Sequence, residues 1–124
     1  MNLEGRIAIV TGGSRGIGKG VVLALAKAGA DVAFCYKQNE EAAKSTADEV
    51  ESLRGRCLYF RADVADYEDV KDMVAKTVET FGSVDILVNN ANHFLWFEEQ
   101  IRNLRISHVF CMHIYLHYPS PGFS

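Results

Sequence analysis

The sequence predicts an α/β fold: a doubly wound parallel sheet, strand order 3-2-1-4, with helices on both faces. Three observations predict it. Short apolar runs alternate with amphipathic segments through residues 1–92. The first run ends in a glycine cluster that opens a helix. The later segments start at capping residues or stop at glycines. Strands that alternate with helices pair in parallel through right-handed crossovers, which lay helices on both sides of the sheet.

The elements follow in order. RIAIVTG, Arg6 to Gly12, is an apolar run ending in glycine and reads as a buried strand. SRGIGKGVVLALAKAGA then places Ile17, Val21, Leu25 and Ala28 at helical spacing, and Gly29 supplies a stop. DVAFCY, Asp31 to Tyr36, is the second strand. Asn39 caps a helix from Glu40 to Leu53, with Ala43, Ala47 and Val50 on one side and charges on the other. CLYFRAD, Cys57 to Asp63, is the third strand. Asp66 caps a helix carrying Val70, Met73, Val74, Thr77, Val78 and Phe81, and Gly82 ends it. VDILVNN, Val84 to Asn90, is the fourth strand.

Composition bounds the function. A chain of 124 residues suits one domain with a real core. Its net charge of −3 gives no footprint for nucleic acid. No apolar run approaches the roughly 18–20 residues that span a bilayer, and MNLEGRIAIV lacks the layout of a signal peptide. The cytoplasm is the expected location. Cys35, Cys57 and Cys111 are odd in number and widely spaced, which argues against a disulfide framework. Cys35 and Cys57 sit in strand-like runs and read as small buried hydrophobes.

The strongest chemical signal is TGGSRGIG, Thr11 to Gly18, between the first strand and the first helix. Gly12 lets the chain turn sharply off the strand. Gly16 removes a side chain where a diphosphate approaches the backbone. Gly18 lets helix and strand pack closely. The helix N-terminus then points free N–H groups and partial positive charge at the phosphates. Glycines also mark plain turns, but a cluster placed after a buried strand and before a helix points to a Rossmann-like nucleotide site.

The spacing is G-x-x-x-G-x-G with Thr11 in front, followed by Asp63-Val64 after the third strand and Asn89-Asn90-Ala91 after the fourth. In this the chain resembles the short-chain dehydrogenase/reductase family over residues 1–91, and most of all its 3-oxoacyl-carrier-protein reductase branch. The resemblance implies cofactor-binding roles at matching positions. Gly12, Gly16, Ile17 and Gly18 would line the diphosphate, and Ser14 is a further cofactor-binding position in the same loop. Asp63 would hydrogen-bond the adenine amino group with the Val64 backbone beside it. Asn89 and Ala91 would edge the cofactor ribose.

The choice between NADP and NAD turns on charge. NAD-binding folds usually end the second strand in a carboxylate that bonds the ribose hydroxyls. Tyr36 and Lys37 stand there instead, and Arg15 lies in the glycine loop. Two cations and no carboxylate favour an extra 2′-phosphate, hence NADP over NAD.

The resemblance stops at residue 92, where Asn92 replaces the glycine that ends the family's Asn-Asn-Ala-Gly turn. Family members continue, and supply an Asn, a Ser and a Tyr-x-x-x-Lys pair in which the Tyr is the general acid and the Lys lowers its pKa. Lys76 is the last lysine here; Pro119 and Gly122 stand four residues after Tyr115 and Tyr118. A tyrosine near its ordinary pKa of about 10 is a poor proton donor at neutral pH. Ser107 has no identifiable base partner, so no catalytic residue is assigned.

Composition shifts at the same point. All four histidines, the single Trp and both prolines lie in residues 93–124, with no Lys and no Asp. The change reads as a truncated or frame-altered continuation of a longer gene. Residues 1–92 are thus a dinucleotide-binding half and 93–124 an atypical tail, one helix and then irregular chain. Phe97, Ile101, Leu104 and His108 lie at helical spacing, with Glu98 and Arg102 as an i,i+4 pair. His108, Cys111, His113 and His117 carry zinc-ligand chemistry, but their spacing matches no common site and no metal is assigned.

The function expected by lineage is NADP-dependent transfer of hydride between cofactor and a carbonyl or hydroxyl substrate. The rival expectation is a dinucleotide-binding or interaction fragment without catalysis. The substrate and the oligomeric state stay open.

Overall fold

A computed structural model describes residues 2–13, 16–90, 99 and 109–113. Its elements run β1 (Ile7–Thr11), α1 (Gly16–Lys27), β2 (Asp31–Tyr36), α2 (Glu40–Ser52), β3 (Cys57–Arg61), α3 (Tyr67–Phe81), β4 (Ile86–Asn89) and β5 (Phe110–His113). The strands form one sheet in the order β3-β2-β1-β4-β5. Every pairing is parallel, with Val10 beside Phe34 and Val88, and Val88 beside Met112. The predicted order 3-2-1-4 therefore stands, with one strand added beyond β4.

That fifth strand corrects the sequence reading, which left residues after the tail helix irregular. Phe110 N–H donates to the Asp85 carbonyl at 2.8 Å and starts the pairing with β4. The helix expected through Phe97, Ile101, Leu104 and His108, and the Glu98–Arg102 pair, lie outside the described residues.

Side chains alternate across the sheet and feed two cores. Ile9, Ala33, Cys35 and Leu87 point to the face covered by Val70, Met73 and Val74 of α3. Val10, Val32, Phe34, Tyr36 and Val88 point to the other, covered by Val22 and Ala26 of α1 and Ala43, Ala47 and Val50 of α2. A parallel sheet buried on both faces needs apolar residues at consecutive positions, as IAIVT and DVAFCY supply. Each fully buried Val, Leu or Phe contributes roughly 1.5–3 kcal/mol.

The helix ends follow local chemistry. The Asn39 side chain accepts from Ala42 N–H at 3.0 Å, and the Asp66 carboxylate accepts from Glu68 N–H at 2.9 Å. Gly82 closes α3 at φ 99°, its N–H donating to the Val78 carbonyl. β3 stops at Arg61, earlier than expected, because the Asp63 N–H turns away to donate to Asp69 Oδ2 at 3.0 Å.

One helix face differs from expectation. The buried stripe of α1 is Gly18, Val22 and Ala26, rather than the line through Ile17, Val21 and Leu25. Ile17 is 41% exposed. The closest approach of helix to sheet falls where side chains are smallest, and the larger apolar residues flank it. Cys35 is buried as expected, whereas Cys57 is half-buried.

Candidate functional site

The carboxyl ends of β1, β2, β3 and β4 share one edge of the sheet, where the strand order reverses between β1 and β4. Ligands of open parallel sheets bind at such a switch point. The turn after β1 is built there from glycine sterics. Gly12 takes φ 69°, which side-chain-bearing residues rarely adopt. Gly13, which the sequence reading passed over, presses on the next strand: a Cβ there would lie 2.6 Å from Phe34 Cβ. Its N–H donates to the Cys35 carbonyl at 3.1 Å, tying the turn to β2.

Gly18 is the tightest point. A Cβ on it would sit 1.8 Å from the Gly12 carbonyl oxygen and 2.7 Å from Asn90 Nδ2. Gly16 is the opposite case. It takes φ 60°, and a Cβ there would meet nothing within 4 Å. Open space stands over the first residue of a twelve-residue helix, whose early N–H groups lack helical partners. A diphosphate fits this arrangement, since it needs backbone exposed at a helix start and no side chain in the way.

β1 is locked to β4 beneath the turn. The Thr11 hydroxyl donates to Asn89 Oδ1 at 2.9 Å and accepts from Asn90 N–H at 2.9 Å. Asn90 Nδ2 reaches the Gly12 carbonyl at 3.4 Å, while Asn90 Oδ1 is buried without a partner among the described residues. Thr11 and Asn90 therefore organise the site, although the sequence reading gave neither a role there. A strand-end hydroxyl followed by consecutive amides was the available signal.

Asp63 lies at the start of the β3–α3 connection, its Oδ1 accepting from Ala65 N–H at 2.9 Å. Val64 behind it is buried. Tyr36 ends β2 with its ring buried, and its hydroxyl pKa is raised by that burial and then by Glu40. Lys37 follows, exposed. Burial pushes the Cys35 thiol up to about 11, so it sits under the turn as an inert apolar group. Of the sequence-predicted site residues, the structure brings Gly12, Gly16, Ile17, Gly18, Tyr36, Lys37, Asp63, Val64 and Asn89 to this one edge. Ser14, Arg15 and Ala91 lie outside the described residues.

Comparisons with known proteins agree on this architecture. The family model for short chain dehydrogenases matches residues 6–109. The Bacillus subtilis short-chain dehydrogenase/reductase homolog YusS is 45% identical over 92 residues, which are 74% of this chain and 84% of that protein. A Staphylococcus aureus 3-oxoacyl-[acyl-carrier-protein] reductase FabG is 43% identical over 84 residues, 68% of this chain and 34% of that one. A short chain dehydrogenase from Burkholderia cenocepacia, solved in complex with NADP, superposes with a TM-score of 0.72 at 45% identity, covering 76% of this chain and 38% of that one. Apart from YusS, the chain spans about a third of the length of the curated relatives it matches first.

Proposed function

The chain belongs to the short-chain dehydrogenase family, and from that premise we propose that residues 1–92 hold a nicotinamide dinucleotide, NADP in preference to NAD, across the carboxyl ends of β1 to β4. The observation that carries the reading is the glycine turn. Gly18 brings α1 against the Gly12 carbonyl, and Gly16 leaves the helix start bare. Backbone N–H groups there, with Gly12, Ser14, Ile17 and Gly18, would hold the diphosphate. Asp63 and the Val64 backbone would hold the adenine, and Asn89 and Ala91 would edge the ribose.

Bound at this edge, the nicotinamide would supply a hydride donor or acceptor for a small carbonyl or hydroxyl substrate. This chain's residues bind and orient; they do not deliver the proton. No lysine follows Lys76, so neither Tyr115 nor Tyr118 heads a Tyr-x-x-x-Lys pair; the one such spacing, Tyr67 to Lys71, lies in α3, ahead of β4 and of the region where the family carries its pair. The result this reading expects for the 124-residue chain is cofactor binding without turnover, while its lineage is that of an oxidoreductase. We place it in the cytoplasm; no described helix is long and apolar enough to cross a membrane.

Cofactor preference is tested at Lys37. Lys37→Glu places a carboxylate where the 2′-phosphate would lie. Charge-assisted hydrogen bonds contribute about 1.5–3 kcal/mol. Titration by nucleotide fluorescence is expected to show NADPH affinity falling about tenfold or more while NADH affinity holds or improves. Equal changes for the two nucleotides contradict the preference.

A further inference from the structure

The parallel sheet gives its charges a polarity that chain order hides. At the amino ends of the strands the cations are paired. Arg6 Nη1 lies 3.9 Å from Asp85 Oδ1. Arg56 grips Asp31 through Nη2 at 2.6 Å and Nε at 3.0 Å and stacks over the Phe81 ring. At the carboxyl ends the pattern reverses. Lys37 follows β2 and Arg61 ends β3; both are exposed, and neither forms an ion pair among the described residues.

Register sets these two cations at neighbouring backbone positions. Tyr36 pairs with Arg61 across β2 and β3, and Ala62 N–H donates to the Tyr36 carbonyl at 3.0 Å. Arg61 is thus the cross-strand neighbour of the residue just before Lys37. Directly paired residues lie on the same face of a sheet, so Arg61 stands on the side of Tyr36, the side that α2 covers. Its charge acts on the Tyr36 hydroxyl against burial and Glu40. An anion at the end of β2 also faces Glu40 and Glu41 in the first turn of α2. One lysine opposes two carboxylates poorly; a second cation offsets them. A guanidinium adds planar donors that match phosphate oxygens, which a lysine cannot supply.

We propose that Arg61 is a specificity-determining contact for the phosphate monoester on the adenosine ribose, acting beside Lys37. This rests on the dinucleotide reading above. The test titrates the purified chain, wild type and Arg61→Gln, with NADP+, NAD+, 2′,5′-ADP and 5′-AMP, following the heat of binding by calorimetry rather than turnover. Arg61→Gln is expected to weaken NADP+ and 2′,5′-ADP about tenfold and to leave NAD+ and 5′-AMP within twofold. Arg61→Lys is expected to fall between, and far-ultraviolet circular dichroism is expected to stay unchanged.

Unaltered NADP+ affinity in Arg61→Gln overturns the assignment while leaving the dinucleotide reading intact. Equal loss for NADP+ and NAD+ also overturns it, since that marks a structural role. A wild-type chain that binds none of the four ligands overturns the dinucleotide reading and this assignment with it.

Discussion

Gly18→Ala is expected to abolish dinucleotide binding and to lower stability by about 1–3 kcal/mol. The new Cβ would fall 1.8 Å from the Gly12 carbonyl oxygen. That atom is backbone in a turn at positive φ, so it has no rotamer by which to yield. Relief requires α1 to lift from β1, which opens the Val22 and Ala26 packing against Val10 and Val32. Overpacking of this kind costs typically 1–3 kcal/mol. It also misplaces the N–H groups that would face the diphosphate. Gly20→Ala is the control. Its Cβ meets nothing within 4 Å, and removing a helix-interior glycine is worth roughly 0.5–1 kcal/mol in favour of the fold. Urea denaturation with NADPH titration separates the two variants. Equal stability and equal binding for both would contradict the account of the turn.

Thr11→Val costs about 2–4 kcal/mol although it preserves side-chain volume. The hydroxyl gives Asn89 Oδ1 a donor and takes the Asn90 N–H, all in fully or nearly fully buried surroundings. Valine removes both bonds and leaves buried polar groups behind, at roughly 1–3 kcal/mol each. Because Asn90 also reaches the Gly12 carbonyl, the loss spreads to the glycine turn, and nucleotide affinity is expected to fall with stability. Thr11→Ser, which keeps the hydroxyl, is expected to recover most of both. Urea midpoints for the two variants check this; a valine variant as stable as the serine variant would show that the hydroxyl holds nothing.

Much of this is legible in the sequence, for identifiable reasons. Gly12 and Gly18 read correctly because positive φ and close approach are local demands that few residues satisfy. Asn39, Asp66 and Gly82 read correctly because capping is settled within three or four residues. The misses share a different cause. The α1 face was displaced because Gly18 and Ala26, the least hydrophobic-looking positions, make the closest contact, while Ile17 stands out in solvent. β5 was invisible because FCMH is short and lacks flanking turn residues, and only its pairing with Ile86–Asn89 makes it a strand. Arg61 was overlooked because its nearness to Lys37 exists only through the β2–β3 register. Local chemistry could be read along the chain; partners chosen across the sheet could not.

The account stands or falls on binding without turnover. The direct measurement titrates the purified 124-residue chain with NADPH by fluorescence and, in the same cuvette, follows NADPH absorbance after a ketone substrate is added. Saturable binding with no oxidation above the protein-free rate is the predicted result. Sustained oxidation would show that a proton donor exists where none was found, and no binding at all would show that the glycine turn does not hold the nucleotide.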